Sequence, residues 1–193
     1  TIGNLLSNRR GKRLCRTCPF VPLTASGTHI SANNGNLDVL KCLLDNKANV
    51  AITDDRGWLP LHEACQEGRS QAARCLLEKC RRIVDARTSQ EDDRKTPLHI
   101  AAEKGHVECM NVLVQNKADI AARDINGCTA LHLAACSGRQ IMTRHLLDKG
   151  ADGTLVDNDG RVALHLASLN GHSNVAKMIV DKYPTTANST TSQ

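Results

Sequence analysis

Thr96-Pro97-Leu98-His99-Ile100-Ala101-Ala102-Glu103-Lys104-Gly105-His106 decides the fold, because it recurs along the chain. With the histidine as register mark, copies stand at His29, His62, His99, His132 and His165, separated by 33, 37, 33 and 33 residues. The closest copies read Leu59-Pro60-Leu61-His62-Glu63-Ala64, Thr129-Ala130-Leu131-His132-Leu133-Ala134-Ala135 and Val162-Ala163-Leu164-His165-Leu166-Ala167. A fixed period of this length means an array of supersecondary units stacked neighbour on neighbour, with no central core.

Working outward, each copy reads as a turn followed by two helices. Pro60 or Pro97 opens the first helix, where its missing N–H would be unpaired anyway. Gly35, Gly68, Gly105, Gly138 and Gly171 fall between the two helices, where a positive φ is needed. Second helices follow on apolar spacing, as in Val39, Leu40, Leu43 and Leu44 of the first copy. Asp54-Asp55-Arg56-Gly57 is a type I turn signature, with Asp first and Gly fourth. It is repeated at Asp124-Ile125-Asn126-Gly127 and Asp157-Asn158-Asp159-Gly160. The third copy has Glu91-Asp92-Asp93-Arg94 there, behind a four-residue slip of the frame, so a bulging loop and a distorted turn are expected.

The motif and period resemble the ankyrin repeat, over roughly residues 26 to 184. The fold expected is all-α, a solenoid of about five helix-turn-helix repeats with turn fingers between them. The repeats are read as about 26–53, 54–90, 91–123, 124–156 and 157–184. Residues 1–25 read as a disordered basic leader and the polar residues 185–193 as a disordered tail. The last copy keeps interior-like Leu164, Leu166, Val175, Ile179 and Val180, and the chain does not begin with Met. A piece of a longer protein is therefore expected.

Composition agrees with thin helical layers. Hydrophobic residues make up 40% but aromatics only 2%, namely Phe20, Trp58 and Tyr183, so Leu, Ala, Val, Ile and Cys must do the burying. No apolar run of about 20 residues is present to span a bilayer, and no apolar signal region follows the basic cluster. The net charge of +5 belongs to Arg9, Arg10, Lys12, Arg13 and Arg16, which leaves the array neutral. Nucleic-acid affinity comes mainly from phosphate neutralisation, so the array is not expected to bind nucleic acid. The arm reads as a solvated leader, an import signal or a docking tail.

Chemistry is sparse. Nine cysteines without a secretory signal point to the cytosol or nucleus. Cys42, Cys65 and Cys75 occupy repeat positions as small buried hydrophobes. Cys15-Arg16-Thr17-Cys18 lacks the second pair that zinc needs. Neighbouring helices pack about 8–10 Å apart, so adjacent register histidines cannot share one ion; the resemblance implies that they hydrogen-bond within the turns. No nucleophile elbow, phosphate loop or carboxylate pair is found. No enzyme activity, metal, cofactor or small-molecule substrate is expected.

The resemblance implies a protein partner, bound on a concave face built from fingers and first helices. The finger positions are Asp55, Arg56, Trp58, Asp92, Asp93, Lys95, Ile125, Asn126, Cys128, Asn158, Asp159 and Arg161. The helix positions include Gln66, Glu67, Glu103 and Lys104, with Asn33, Asn34, Cys136, Ser137, Leu169 and Asn170 beside them. Trp58 is expected to be exposed at a finger tip as an interface anchor. The stretch Asp54 to Ala64 also looks like turns of ankyrin-and-SOCS-box ubiquitin-ligase adaptors and of ankyrin-bearing TRP channels. On the channel reading a membrane would be an indirect partner.

Overall fold

The computed structural model describes the backbone at 5–7, 13–15 and 25–188, and side chains at 26–188. Ahead of the array, Leu5–Ser7 (β1) pairs antiparallel with Arg13–Cys15 (β2), Leu6 opposite Leu14. The rest of the expected leader lies outside the described residues, as do residues 189–193 of the expected tail.

Among the described residues ten α-helices follow in five pairs: α1 (Ala25–Asn34) with α2 (Leu37–Asp45), α3 (Pro60–Gln66) with α4 (Ser70–Lys79), α5 (Pro97–Lys104) with α6 (Val107–Gln115), α7 (Ala130–Cys136) with α8 (Gln140–Asp148), and α9 (Ala163–Leu169) with α10 (Ser173–Lys182). This is the all-α repeat array expected. First helices stack on first helices and second on second, each touching the pair before and after. Fully buried Leu61, Leu98 and Leu131 fill the layers, while Ala64, Ala101 and Ala134 let adjacent backbones come close.

The register histidines tie each unit to the next. In α5, Thr96 caps the helix: its hydroxyl pairs with the His99 ring, and its N–H donates to His99 Nδ1 at 3.2 Å. The same N-cap bond runs from Leu59 to His62, from Thr129 to His132 and from Val162 to His165. With Nδ1 accepting, the proton sits on Nε2, which donates forward into the following repeat. His29 reaches Trp58 O at 2.9 Å, His99 reaches Cys128 O at 3.0 Å and His132 reaches Arg161 O at 3.2 Å. His62 reaches Ala86 O at 3.0 Å, two residues ahead of the third turn, where Ala122 and Leu155 stand for His99 and His132.

A second ladder runs the opposite way at the inter-helix turns. Arg69 donates back to Asn33 O, His106 to Gln66 O, Arg139 to Glu103 O and His172 to Cys136 O, all within 3.0–3.1 Å. Each covers a carbonyl at a first-helix C-terminus that would otherwise be orphaned. Glycine is needed here twice over. At Gly138, φ is +66° and an added Cβ would lie 2.6 Å from His172 Nδ1; at Gly171, φ is +73° and nothing lies within 4 Å. Gly171→Ala should therefore cost about 1 kcal/mol from backbone strain alone. Gly138→Ala should cost about 3 kcal/mol, because overpacking is added and the His172 bond is disturbed. Urea midpoints of the two variants check the difference.

Three fingers close alike. Asp54, Asp124 and Asp157 each donate N–H to the carbonyl four residues on, at 2.9 Å, and accept at Oδ1 from the backbone two and four residues on. Gly57, Gly127 and Gly160 take the left-handed position. The third finger is distorted, as its missing glycine implied. Thr88 replaces the aspartate, and the closing bond spans Thr88 N–H to Lys95 O. Asp93 (φ 62°) and Arg94 (φ 54°) accept left-handed geometry without glycine, a strained arrangement for residues with a Cβ.

Two expectations need correcting. Residues 185–188 are not a loose tail: Pro184–Asn188 form a 3₁₀ turn with Thr186 buried, its hydroxyl donating to Tyr183 O at 2.7 Å. Of the three cysteines read as buried free thiols, only Cys65 is fully buried. Cys75 is half-buried, and Cys42, beside exposed Lys41 at the edge of the leucine stripe, is half-buried and disulfide-bonded.

Candidate partner-binding face

Fingers and first helices share one face. Cross-bonds prove the proximity: Arg56 of the second finger pairs with Glu63 of α3, and Lys95 of the third pairs with Glu103 of α5 at 3.1 Å. Asn33 of α1 donates to Glu63 Oε2 at 2.9 Å. The fingers are also joined to one another. Ser89 N–H bonds Arg56 O, Ile125 N–H bonds Asp93 O, and Asn158 N–H bonds Asn126 O. The face is thus held by backbone bonds rather than by mobile side chains.

Of the residues expected on it, Asp55, Arg56, Glu67, Asn126, Asn158 and Asp159 are exposed. Gln66, Asp92, Asp93, Lys95, Glu103, Lys104, Ile125 and Arg161 are half-exposed. Several already have internal work. The Arg56 guanidinium bridges Asp54 and Glu63, Arg161 pairs with Asp157 and Asp159, and the Asn158 amide donates to Ile125 O. Burial works against ionisation of Asp54. The Trp58 N–H and the Arg56 guanidinium outweigh it and hold that carboxyl below the usual range.

Trp58 and Cys128 are corrections. Trp58 is only 9% exposed. Its ring lies under the Arg56 guanidinium at 4.4 Å and tilts against His62 at 6.0 Å, while Nε1 donates to Asp92 Oδ2 at 2.7 Å. The insertion supplies that acceptor, and a turn with a normal period would not. Cys128 is buried, and burial with the nearby Asp124 and Asp157 pushes its thiol up to about 12. Two residues were missed. Glu63 reads as an ordinary helix residue, yet it is the buried acceptor for both Asn33 and Arg56. Ile30 is 59% exposed, whereas its counterparts Ile100 and Leu166 are buried. Ile30 lines a hollow with Ser26, His29 and the second finger.

The face offers little chemistry. Burial drives the ring pKa of His62 down to about 4, and lowers those of His99 and His132. A hydrogen bond with Cys109, together with burial, lifts the Cys65 thiol well above its usual range. Among the described residues no group of three or more His, Cys, Asp or Glu could hold a metal, and no helix is long and apolar enough to cross a membrane. Asp124 Oδ2 is buried without a partner. The equivalent oxygens of Asp54 and Asp157 accept from Arg56 and Arg161, and the fourth finger has no arginine.

The chain is similar to the SMC5-SMC6 complex localization factor protein 1 of Bos taurus, 34% identical over 99 residues, which is 51% of this chain and 9% of that protein. Ankyrin repeat and SOCS box protein 3 of Bos taurus is 31% identical over 103 residues, 50% of this chain and 18% of that protein. Ankyrin repeat and SOCS box protein 2 of Bos taurus is 33% identical over 82 residues, 42% of this chain and 12% of that protein. The matched stretch therefore spans less than a fifth of each of these relatives. A family model described as ankyrin repeats in three copies matches residues 28–124 and again 122–191. Periodic turn histidines, stacked helix pairs and this match together make the chain a member of the ankyrin-repeat family.

Proposed function

We propose that the chain is a non-catalytic interaction module that binds a partner protein on the face of its fingers and first helices. One observation carries the reading: this face is pre-ordered by two hydrogen-bond ladders and by finger-to-finger bonds, yet presents Asp55, Glu67 and Asn126 to solvent. A rigid surface loses little entropy on association, and burial makes the register histidines His62, His99 and His132 weak bases and the Cys65 and Cys128 thiols weak acids. As an adaptor or scaffold the module is assigned to the cytosol or nucleus by its many free thiols, with the disulfide-bonded Cys42 as the exception.

A second reading is favoured by the relatives named for a SOCS box: the array would be the recognition part of a longer ubiquitin-ligase adaptor. Both readings use the same face. Affinity capture with the full chain tests it, comparing Asp55→Ala/Glu67→Ala/Asn126→Ala with a control on the second helices, Arg74→Ala/Arg144→Ala/Lys177→Ala. The face variant should lose at least tenfold of its captured partner with an unchanged urea midpoint. Loss in the control variant, with the face variant unaffected, would overturn the reading.

A further inference from the structure

The open hollow beside Ile30 is continuous with a second one. The first, about 360 Å³, is lined among the described residues by Ser26, His29, Ile30, Thr53, Asp54 and Asp55. The second, about 340 Å³, shares His29 and Ile30 and extends over Asn33, Asn34 and Glu63. Together they make a groove between α1 and the second finger, with an exposed aliphatic floor in Ile30 and carboxylates on its walls.

The wall charge selects the occupant. Arg56 offsets only part of the charge of Asp54 and Glu63, and the exposed Asp55 has no ionic or hydrogen-bond partner. Beyond the groove the same face carries Glu67, Asp92, Asp93 and Glu103 against Arg94, Lys95 and Lys104, with Arg69 at the groove's far end bonded to Asn33 O. In the fifth finger Asp159 is paired with Arg161, and exposed Arg123 stands just ahead of the fourth finger. The array as a whole is neutral outside the leader, so this end of the face is selectively negative.

Resting on the interaction-module reading, we propose that the groove takes an extended basic segment of a partner protein. An aliphatic side chain of that segment sits on Ile30, and its lysines or arginines lie along Asp55, Glu67 and Asp92. Nucleic acid carries the wrong sign for this surface. Opposite charges across the rim mainly set the encounter rate and the partner discriminated, and the apolar floor fixes register.

The probe is a fluorescein-labelled fifteen-residue peptide of alternating Lys and Ala with one central Leu, read by anisotropy against the full chain. Controls replace every Lys by Glu, or the Leu by Ser. Binding should be at least tenfold weaker for the Glu peptide and weaker for the Ser peptide, and should fall steeply between about 50 and 200 mM salt. Ile30→Ser/Asp55→Asn/Glu67→Gln, checked for an unchanged urea midpoint, should lose at least tenfold, and Asp148→Asn/Asp181→Asn on the second helices should not. Equal binding of the Glu peptide, or equal loss in the second-helix variant, overturns the proposal. So does a tenfold gain when the five leader cations are changed to Ser, which would make the leader the groove's occupant. If the peptide fails while the face variant still loses its captured partner, only the basic-segment assignment falls.

Discussion

Trp58→Ala is expected to destabilise the array by about 3–5 kcal/mol, the range for truncating a buried large aromatic. The ring is covered by Arg56, rests on His62 and bonds Asp92. Its removal therefore opens a cavity between the second and third repeats. It also leaves Asp92 Oδ2 without its donor. Trp58→Phe should keep most of the packing and lose mainly the hydrogen bond, costing about 1–2 kcal/mol. Urea unfolding separates these, since both variants should shift the midpoint with little change in slope. An unchanged midpoint for Trp58→Ala, with partner capture lost, would return the ring to the role of an exposed anchor.

Acid should destabilise the array well before its carboxylates titrate. His62 is neutral when folded, with Nδ1 accepting from Leu59 N–H and Nε2 donating to Ala86 O, so protonation at Nδ1 breaks the cap. Its pKa is about 4 in the fold against 6.5 in an unfolded chain. Above pH 6.5 neither state is protonated and the stability is fully present. As pH falls from 6.5 toward 4 the unfolded state takes up the proton first, and stability is lost. That difference amounts to about 3 kcal/mol from His62 alone. His99 and His132, lowered by burial in the same way, add to it. The lowered pKa values of Asp54 and Asp157 act in a separate window below it, where their stabilisation is lost as pH drops. Urea midpoints at pH 7.5, 6.0 and 4.5 should fall steadily, and His62→Gln should flatten the trend. Midpoints that hold constant over this range would refute the assignment.

The sequence alone determined the repeat register, the all-α array of about five helix-turn-helix units, and the distorted third turn. Pro97 at a helix start, Gly138 between helices and His132 in its turn act within one unit or on the next, and stacking repeats that local logic. The helix read as Pro60 to Gln66 is found with those bounds. What depends on atoms far along the chain was decided only by the tertiary structure. Trp58 is buried because the insertion delivers Asp92, 34 residues away, to its indole. Ile30 is 59% exposed although Ile100 at the same register is 2% exposed. Periodicity says which face a residue takes, but burial depends on which neighbour's atoms arrive there, and a neighbour that breaks the period cannot be placed from the period itself.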